Sequence, residues 1–376
     1  MTMNRLISFS KRVLSKIIRL CKLDKLIYKM SSDDILQIDD AQIADAREFL
    51  QSQSPNPMSS CICKNQIDEK VDVHIIVPAY NVEKYIKQCL DSVVLPPKKY
   101  TYFLTVINDG SIDGTADILR EYENIPNVEI ITQSNKGFSG ARNTGLKNIR
   151  GKYILFLDSD DYLDWSGVEK LLDTAFENGS EVVSGSVTTV TQNGEHKSFF
   201  AKSEGPIKAN QLGGQPWAKV FKSNLFENLC FPENYWYEDS ICAQIIYPQL
   251  KTINGIRENT YYYRVHDQSI TSKGKKSVKS IDSYWVTERL HSEREKFGLK
   301  ITEEYYDYIL HMVVLTFSRI SLQSYEIKKN VFILFSDFIN RFFAEYTTSD
   351  IKLKEVEKII KNKNLGKCIA FVKWIR

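Results

Sequence analysis

The chain has 376 residues and a net charge of +3, with 43% hydrophobic and 26% charged residues, the make-up of an ordinary globular protein. That length fits one main domain with appendages, and no apolar run approaches the ~18 residues that span a bilayer. Lys11, Arg12, Lys16 and Arg19 break any signal-like apolar core, and the seven cysteines form no framework, so they are read as reduced thiols.

Charge is unevenly spread. Residues 1–30 carry eight basic side chains, from Arg5 to Lys29, against Asp24 alone. Leu6, Val13, Leu14, Ile17, Ile18, Cys21 and Leu26 recur at helical spacing, predicting a basic amphipathic helix suited to an anionic membrane surface. A helix packed on the protein itself is the alternative. Acidic and then loop-like residues follow, so a linker is placed to end near residue 70. From Val71 the pattern alternates. Strands are expected at Val73–Val77 (stopped by Pro78), Phe103–Ile107, Val128–Thr132, Tyr153–Leu157 and Glu181–Ser184. Helices are expected at Val82–Val94, Asp113–Tyr122, Gly140–Ile149 and Gly167–Asn178, and connections this short imply a mostly parallel sheet flanked by helices. Beyond Thr189 come a helical segment at Trp217–Phe226, an apolar run at Ile241–Tyr247, and an aromatic-rich helical region from Lys279 onward. The domain division is therefore 1–70, 71–272 and 273–376.

Ligands of open α/β sheets bind beyond the carboxyl ends of strands. At the end of the fourth strand stand Asp158, Asp160 and Asp161, three mutually repelling carboxylates whose simplest relief is a divalent cation. A solvated Asp-rich turn is the plainer alternative. Pro78-Ala79-Tyr80-Asn81 and Asn108-Asp109-Gly110-Ser111 follow the first two strands, and Gly137 to Asn143, including Arg142, opens a helix. Neither the dinucleotide-binding nor the P-loop glycine pattern is present, which argues against nicotinamide and P-loop chemistry.

Seven short segments in this order resemble the family 2, GT-A fold, inverting glycosyltransferases of the capsule and exopolysaccharide type. They are Ile76–Asn81, Asn108–Thr115, Gly140–Gly145, Phe156–Asp161, Pro216–Lys219, Tyr237–Asp239 and Tyr262–Ile270. The resemblance covers residues 72 to about 272 and implies a Rossmann-like α/β domain, with a helical C-terminal region and basic N-terminal helix outside it. It implies that Pro78, Tyr80, Asn81, Asp109 and Arg142 form the nucleotide pocket, with Asp158 at the ribose and Asp161 at the donor sugar. Asp160 and His266 would hold Mn2+ or Mg2+, and Arg264 and Ser269 would approach the diphosphate. Asp239, with Glu238 second, would be the base that deprotonates the acceptor hydroxyl, while Trp217 and Lys219 would line the sugar sites.

The function so implied is a hexosyl- or N-acetylhexosaminyl-transferase adding one sugar from a nucleotide sugar, UDP-linked by family habit. The acceptor would be a lipid-linked or oligosaccharide hydroxyl at the inner face of the cell membrane, with no nucleic acid involved and an oligomer left open. A sugar nucleotidyltransferase and a non-catalytic sugar-nucleotide-binding protein are the alternatives. The chain lacks the Q-x-x-R-W segment and membrane spans of the processive synthases, which favours single-sugar addition.

Overall fold

Val73, Ile75, Ile76 and Val77 supply β-branched side chains to a segment buried on both faces, as the middle strand of a helix-covered sheet must be. In the computed structural model this segment belongs to β1 (Gln66–Ala79). The structure describes residues 33–96, 99–191, 194, 196–199, 204–266 and 274–374. The basic helix expected within residues 1–30 lies outside them.

The chain divides into two compact units. Asn56–Lys273 with Trp285–Lys300 contains a ten-stranded sheet, whose main path runs β3-β2-β1-β4-β9-β6-β10-β5. Its strands are β2 (Tyr102–Asn108), β3 (Val128–Thr132), β4 (Asn148–Phe156), β5 (Tyr162–Leu163), β6 (Val182–Thr191), β9 (Lys219–Lys222) and β10 (Ile253–Val265). Short strands β7 (His196–Phe199) and β8 (Gly205–Pro206) pair with β6 and β10. β1 to β4 are parallel, β9 runs antiparallel between β4 and β6, and β10 is parallel to β6.

Four helices connect the parallel strands as the alternation required: α2 (Ile86–Val94), α3 (Thr115–Arg120), α4 (Gly137–Leu146) and α5 (Trp165–Asn178). Gly145 lets α4 lie directly on β1, since a Cβ there would stand 2.5 Å from Ile76 Cγ2. The other unit, Met1–Pro55 with Gly274–Tyr284 and Ile301–Arg376, is helical in its described part. It contains α1 (Asp40–Gln53), the start of α6 (Asp282–Arg294), α7 (Glu303–Arg319), α8 (Tyr325–Phe343), α9 (Ile351–Lys361) and α10 (Leu365–Trp374). Tyr305, Tyr306, Phe332, Phe335, Phe338 and Phe343 are buried there, as an aromatic core predicts, while Phe342 stays on the surface.

Local expectations change at several places. The helix expected over Gly140–Ile149 ends at Leu146, and β4 begins at Asn148. Pro78 does not stop β1, which continues to Ala79. The ladder to β4 ends with Leu157 N–H donating to Ile76 O, and Ala79 O accepts from Asp109 N–H on the β2 side. Proline's missing donor therefore falls past the end of the β4 ladder. The helix expected over Trp217–Phe226 is β9 followed by a 3₁₀ turn (Ser223–Phe226), because Val220 and Phe221 fill a gap between β4 and β6. Tertiary burial overrides the local pattern. The apolar run from Ile241 forms a π-helical turn, Cys242–Ile246.

Candidate functional site

A cleft of about 590 Å3 opens at the carboxyl ends of β1, β2 and β4, where an open α/β sheet places its ligands. Side chains expected from the sequence meet in its wall: Pro78, Tyr80, Asn81, Asp109, Arg142, Asp158, Asp160, Trp217, Glu238, Asp239 and His266. Asn81 ties two strand-end loops together, its N–H donating to Ser111 Oγ at 3.1 Å and its Oδ1 accepting from Ile112 N–H at 2.9 Å. Gly110 turns the second loop at φ 74°, where a Cβ would come within 3.0 Å of the Asn135 nitrogen.

Asp109 is 2% exposed. Its Oδ1 accepts from Gln133 Nε2 at 2.8 Å and from the Lys136 N–H at 2.9 Å. Its Oδ2 is buried without a hydrogen-bond partner among the described residues, as is Arg142 Nε. Asp109 Oδ2 and Arg142 Nε thus bring an unmet acceptor and an unmet donor to the cleft, each costly until a ligand satisfies it. The two terminal nitrogens of Arg142 are already engaged, one with Glu238 Oε1 at 2.5 Å and the other with Asp158 Oδ1 at 2.7 Å. Burial pushes the Glu238 carboxyl up, against the opposing pull of Arg142. Asp239 is half-buried in the cleft wall beside this pair.

Asp160 Oδ2 and His266 Nε2 stand 2.7 Å apart, and the ring of Tyr85 stacks on His266 at 5.1 Å. Burial and then Asp158 raise the Asp160 carboxyl above its usual range, while His266 lowers it. Among the described residues, no group of three or more His, Cys, Asp and Glu side chains is arranged to hold a metal ion. The charge balance nevertheless suits a cation, since five carboxylates line the cleft with Arg142 as their one guanidinium. An anionic diphosphate would need positive charge there. Hard oxygen donors that leave most coordination positions to substrate and water match Mg2+ or Mn2+.

Three expected residues are not in the wall. Asp161 is 1% exposed; its carboxylate accepts from Tyr261 OH at 2.8 Å and from Arg264 N–H at 2.7 Å, binding the acidic turn to β10. Lys219 is fully buried beneath the cleft and donates from Nζ to Gln215 O at 2.8 Å, holding the turn that carries Trp217. Burial lowers the Lys219 ammonium to about 8. The Arg264 guanidinium lies between the rings of Tyr85 and Tyr162, 5.0 Å from each, and donates to Gln88 Oε1 at 2.6 Å. Ser269 is outside the described residues. Trp217 reaches the cleft, but its ring stacks on Tyr261 at 4.8 Å and Tyr263 at 5.4 Å, so part of its face is already covered.

Residues that motif reading passed over include Gln133 and Tyr85, while Phe138 and Tyr263 line the cleft from segments singled out in the sequence without a role of their own. Gln133 is the first residue after β3, so the strand-end rule was the signal that marked it. Backbone strain marks the site too, since Asn81, Ala218 and Tyr237 all adopt positive φ (53°, 57° and 67°) at or beside the cleft wall.

Residues 74–223 match the model of glycosyl transferase family 2. The chain is 30% identical over 265 residues, 63% of its length, to the glycosyltransferase GlyA of Streptococcus pneumoniae. It is 32% identical over 207 residues, 51% of its length, to a poly(ribitol-phosphate) beta-glucosyltransferase of Bacillus spizizenii. It spans only 35% and 32% of those relatives' own lengths. Among solved structures it is similar to S. aureus TarS 1-349 in complex with UDP-GlcNAc, with a TM-score of 0.61 and 21% identity over 79% of this chain and 89% of that one. At that identity the likeness is one of fold.

Proposed function

We propose, from the match of residues 74–223 to the model of glycosyl transferase family 2, that the chain moves a single sugar, with inversion, from a UDP-sugar to a hydroxyl of a growing, lipid-linked polysaccharide. The observation that carries this reading is one cleft holding an unmet acceptor on Asp109, an unmet donor on Arg142, and Asp239. The imide edge of uracil offers both a ring N–H and a carbonyl oxygen, which complement Asp109 Oδ2 and Arg142 Nε. Pro78, Tyr80 and Asn81 shape the pocket around the base, and Asp158 faces the ribose. The catalytic domain is placed at 71–272, with 1–70 and 273–376 as flanks.

Asp239 acts as general base, taking the acceptor hydroxyl's proton as that oxygen bonds to the anomeric carbon and the bond to the diphosphate oxygen breaks. Glu238, second choice by sequence, is committed to Arg142 and positions it. Asp160 and His266 would hold Mn2+ or Mg2+, which when bound would neutralise charge on the leaving diphosphate. Asp161 and Lys219 act by fixing backbone near the donor. Named relatives that are poly(ribitol-phosphate) glycosyltransferases, and the UDP-GlcNAc in the TarS structure, support a UDP-linked hexose or N-acetylhexosamine and a polymeric acceptor.

No described helix is long and apolar enough to cross a membrane, and the basic sequence of residues 1–30 is assigned to an anionic membrane surface at the cytoplasmic side. The experiment is a panel of sugar nucleotides assayed for slow hydrolysis with and without Mn2+. Release of UDP from one UDP-sugar is the expected result. Pyrophosphate release from UTP and a sugar phosphate would replace this reading with nucleotidyl transfer.

A further inference from the structure

Among the described residues, Cys61, Cys89, Cys242 and Cys368 are buried, whereas Cys63 and Cys230 are half-buried. Those two lie side by side. Residues 61–63 and 228–230 run antiparallel across a short bridge between Ile62 and Leu229. Cys230 N–H donates to Cys61 O at 2.9 Å, and Cys63 N–H donates to Asn228 O at 3.4 Å. Side chains two apart on a strand share a face with those opposite them. Cys61, Cys63 and Cys230 therefore stand on one face of this ribbon, where the Cys230 thiol donates to Cys63 and stands 3.9 Å from Ser60 O. The three thiols differ in chemistry. The hydrogen bond from Cys230, helped by one from Asn65, holds Cys63 below the ordinary thiol value against its partial burial. Cys61, directly opposite Cys230, is pushed up to about 12 by burial and then by Glu293. Cys230 is also pushed up, first by its hydrogen bond to Cys63 and then by burial. That first cause disappears once Cys63 is capped and uncharged. The result is an ionisable outer thiol with a second thiol poised to follow it.

We propose that Cys63 and Cys230 are a thiol–disulfide exchange site for a small disulfide of the glutathione class, and that closing it fastens the segment leading to Glu238 and Asp239. The Cys63 thiolate attacks one sulfur of the small disulfide, forming a mixed disulfide and releasing one thiolate. That thiolate takes the Cys230 proton. Cys230 then attacks the Cys63 sulfur, closing the Cys63–Cys230 bond and releasing the second thiolate, which recovers from solvent the proton that Cys63 had given up. Two electrons pass from the protein's two sulfurs to the small disulfide, which leaves as two thiols. From Cys230 the chain runs to Phe231, whose N–H donates to Asn143 Oδ1 at 2.8 Å and whose carbonyl accepts from Asn143 Nδ2 at 2.9 Å. The Phe231 ring lies 5.5 Å from the Arg142 guanidinium, and Glu233 N–H donates to Ser59 Oγ at 2.9 Å. Residues 59–63 thus already brace the approach to the acid pair, and a covalent bond there makes the brace permanent while oxidised. A pair of this kind in a reducing compartment closes only when the surrounding thiol pool is oxidised. The inference stands on the fold alone and does not require the sugar transfer proposed above.

The test equilibrates the full chain in mixtures of reduced and oxidised glutathione, quenches with acid, alkylates the remaining thiols and maps the peptides by mass spectrometry. Amide hydrogen exchange is measured on the reduced and oxidised forms. A linked Cys63–Cys230 peptide is expected, its fraction rising with the oxidised share of glutathione. Exchange across residues 228–237 should slow by about tenfold on oxidation. Cys230→Ser keeps a hydroxyl to donate to Cys63, and should stop at one glutathione on Cys63. Cys63→Ser should leave Cys230 slower to react by about tenfold or more. No linked peptide in excess oxidised glutathione overturns the inference, as does a link through Cys61 or any other cysteine. Exchange that differs by less than about twofold between the two forms overturns the fastening of the segment. Cys63 left unmodified in folded Cys230→Ser overturns its role as the attacking thiol. Should either variant fail to fold, the linked peptide and the exchange of the unaltered chain decide alone.

Discussion

The two ends of the cleft are built in contrasting ways. At the base end, Asp109 is set by regular elements: it follows β2, is held by residues after β3 and on α4, and is left with a single unmet oxygen. At the acid end, Glu238 and Asp239 sit between a residue at φ 67° (Tyr237) and a π-helical turn, with Trp217 supported by the positive-φ Ala218 and buried Lys219. Hydrogen bonds organise the first end, where Asn81 is the side-chain-bearing residue at positive φ, while two such residues, Ala218 and Tyr237, and the buried Arg142–Glu238 pair organise the second. A rigid socket suits recognition of one invariant ring, and an irregular wall suits aiming a base at a variable acceptor.

Removing the base should separate the ends most sharply. Asp239→Asn is expected to lower kcat by about 1,000-fold while UDP affinity, measured by titration, stays within about twofold. Turnover near the unaltered rate would remove Asp239 from the chemistry. Next in size is Arg142→Met, which takes from buried Glu238 the charge that most opposes its desolvation. Urea denaturation should register a loss of about 3 kcal/mol. A loss below about 1 kcal/mol would mean that the pair does not hold the acid end together.

That contrast also governs how far the chain could be read from its residues. The base end was legible because strand, turn and helix signals are local: Val73–Val77, Asn108-Asp109-Gly110 and Gly140 onward announce themselves by period and turn chemistry. So did the acidic turn after β4. The acid end resisted. Val220 and Phe221 read as helix because nothing nearby reveals the gap between β4 and β6 that makes them a strand. The burial of Asp161 and the sandwich of Arg264 by two tyrosines depend on partners 100 to 179 positions away in sequence, beyond any local pattern.

Between the ends stands Asp160, 2.7 Å from His266, which the proposed reading assigns to the cation at the donor's diphosphate. Asp160→Ala should weaken UDP binding in the presence of Mn2+ by about 10- to 100-fold, and chelating the metal from the unaltered chain should give the same affinity as the variant. Equal binding by both proteins with and without Mn2+ would detach Asp160 from any cation.

The smallest effect is expected at the other end of the same strands. His74 on β1 is buried, its Nδ1 accepting from the Arg150 N–H at 3.4 Å and its Nε2 therefore donating to Thr105 Oγ1 at 2.8 Å. Burial, and then Arg150, lower its titration to about 3. A base held neutral in the fold but protonated near 6.5 when unfolded gives the folded state stability that is complete above pH 6.5 and lost as pH falls toward 3. The slope of that loss cannot exceed about 1.4 kcal/mol per pH unit for one proton. Asp160 and Asp161 are raised, so their protonation as pH falls favours the folded state and works against the trend. The difference between the unaltered chain and His74→Gln, which keeps a donor for Thr105, removes the carboxylates from the comparison. Urea unfolding between pH 7.5 and 4 should show the unaltered chain losing stability faster than the variant. Parallel curves would mean that His74 takes up its proton as readily in the fold as in the unfolded chain, and that the sheet beneath the cleft tolerates a buried charge.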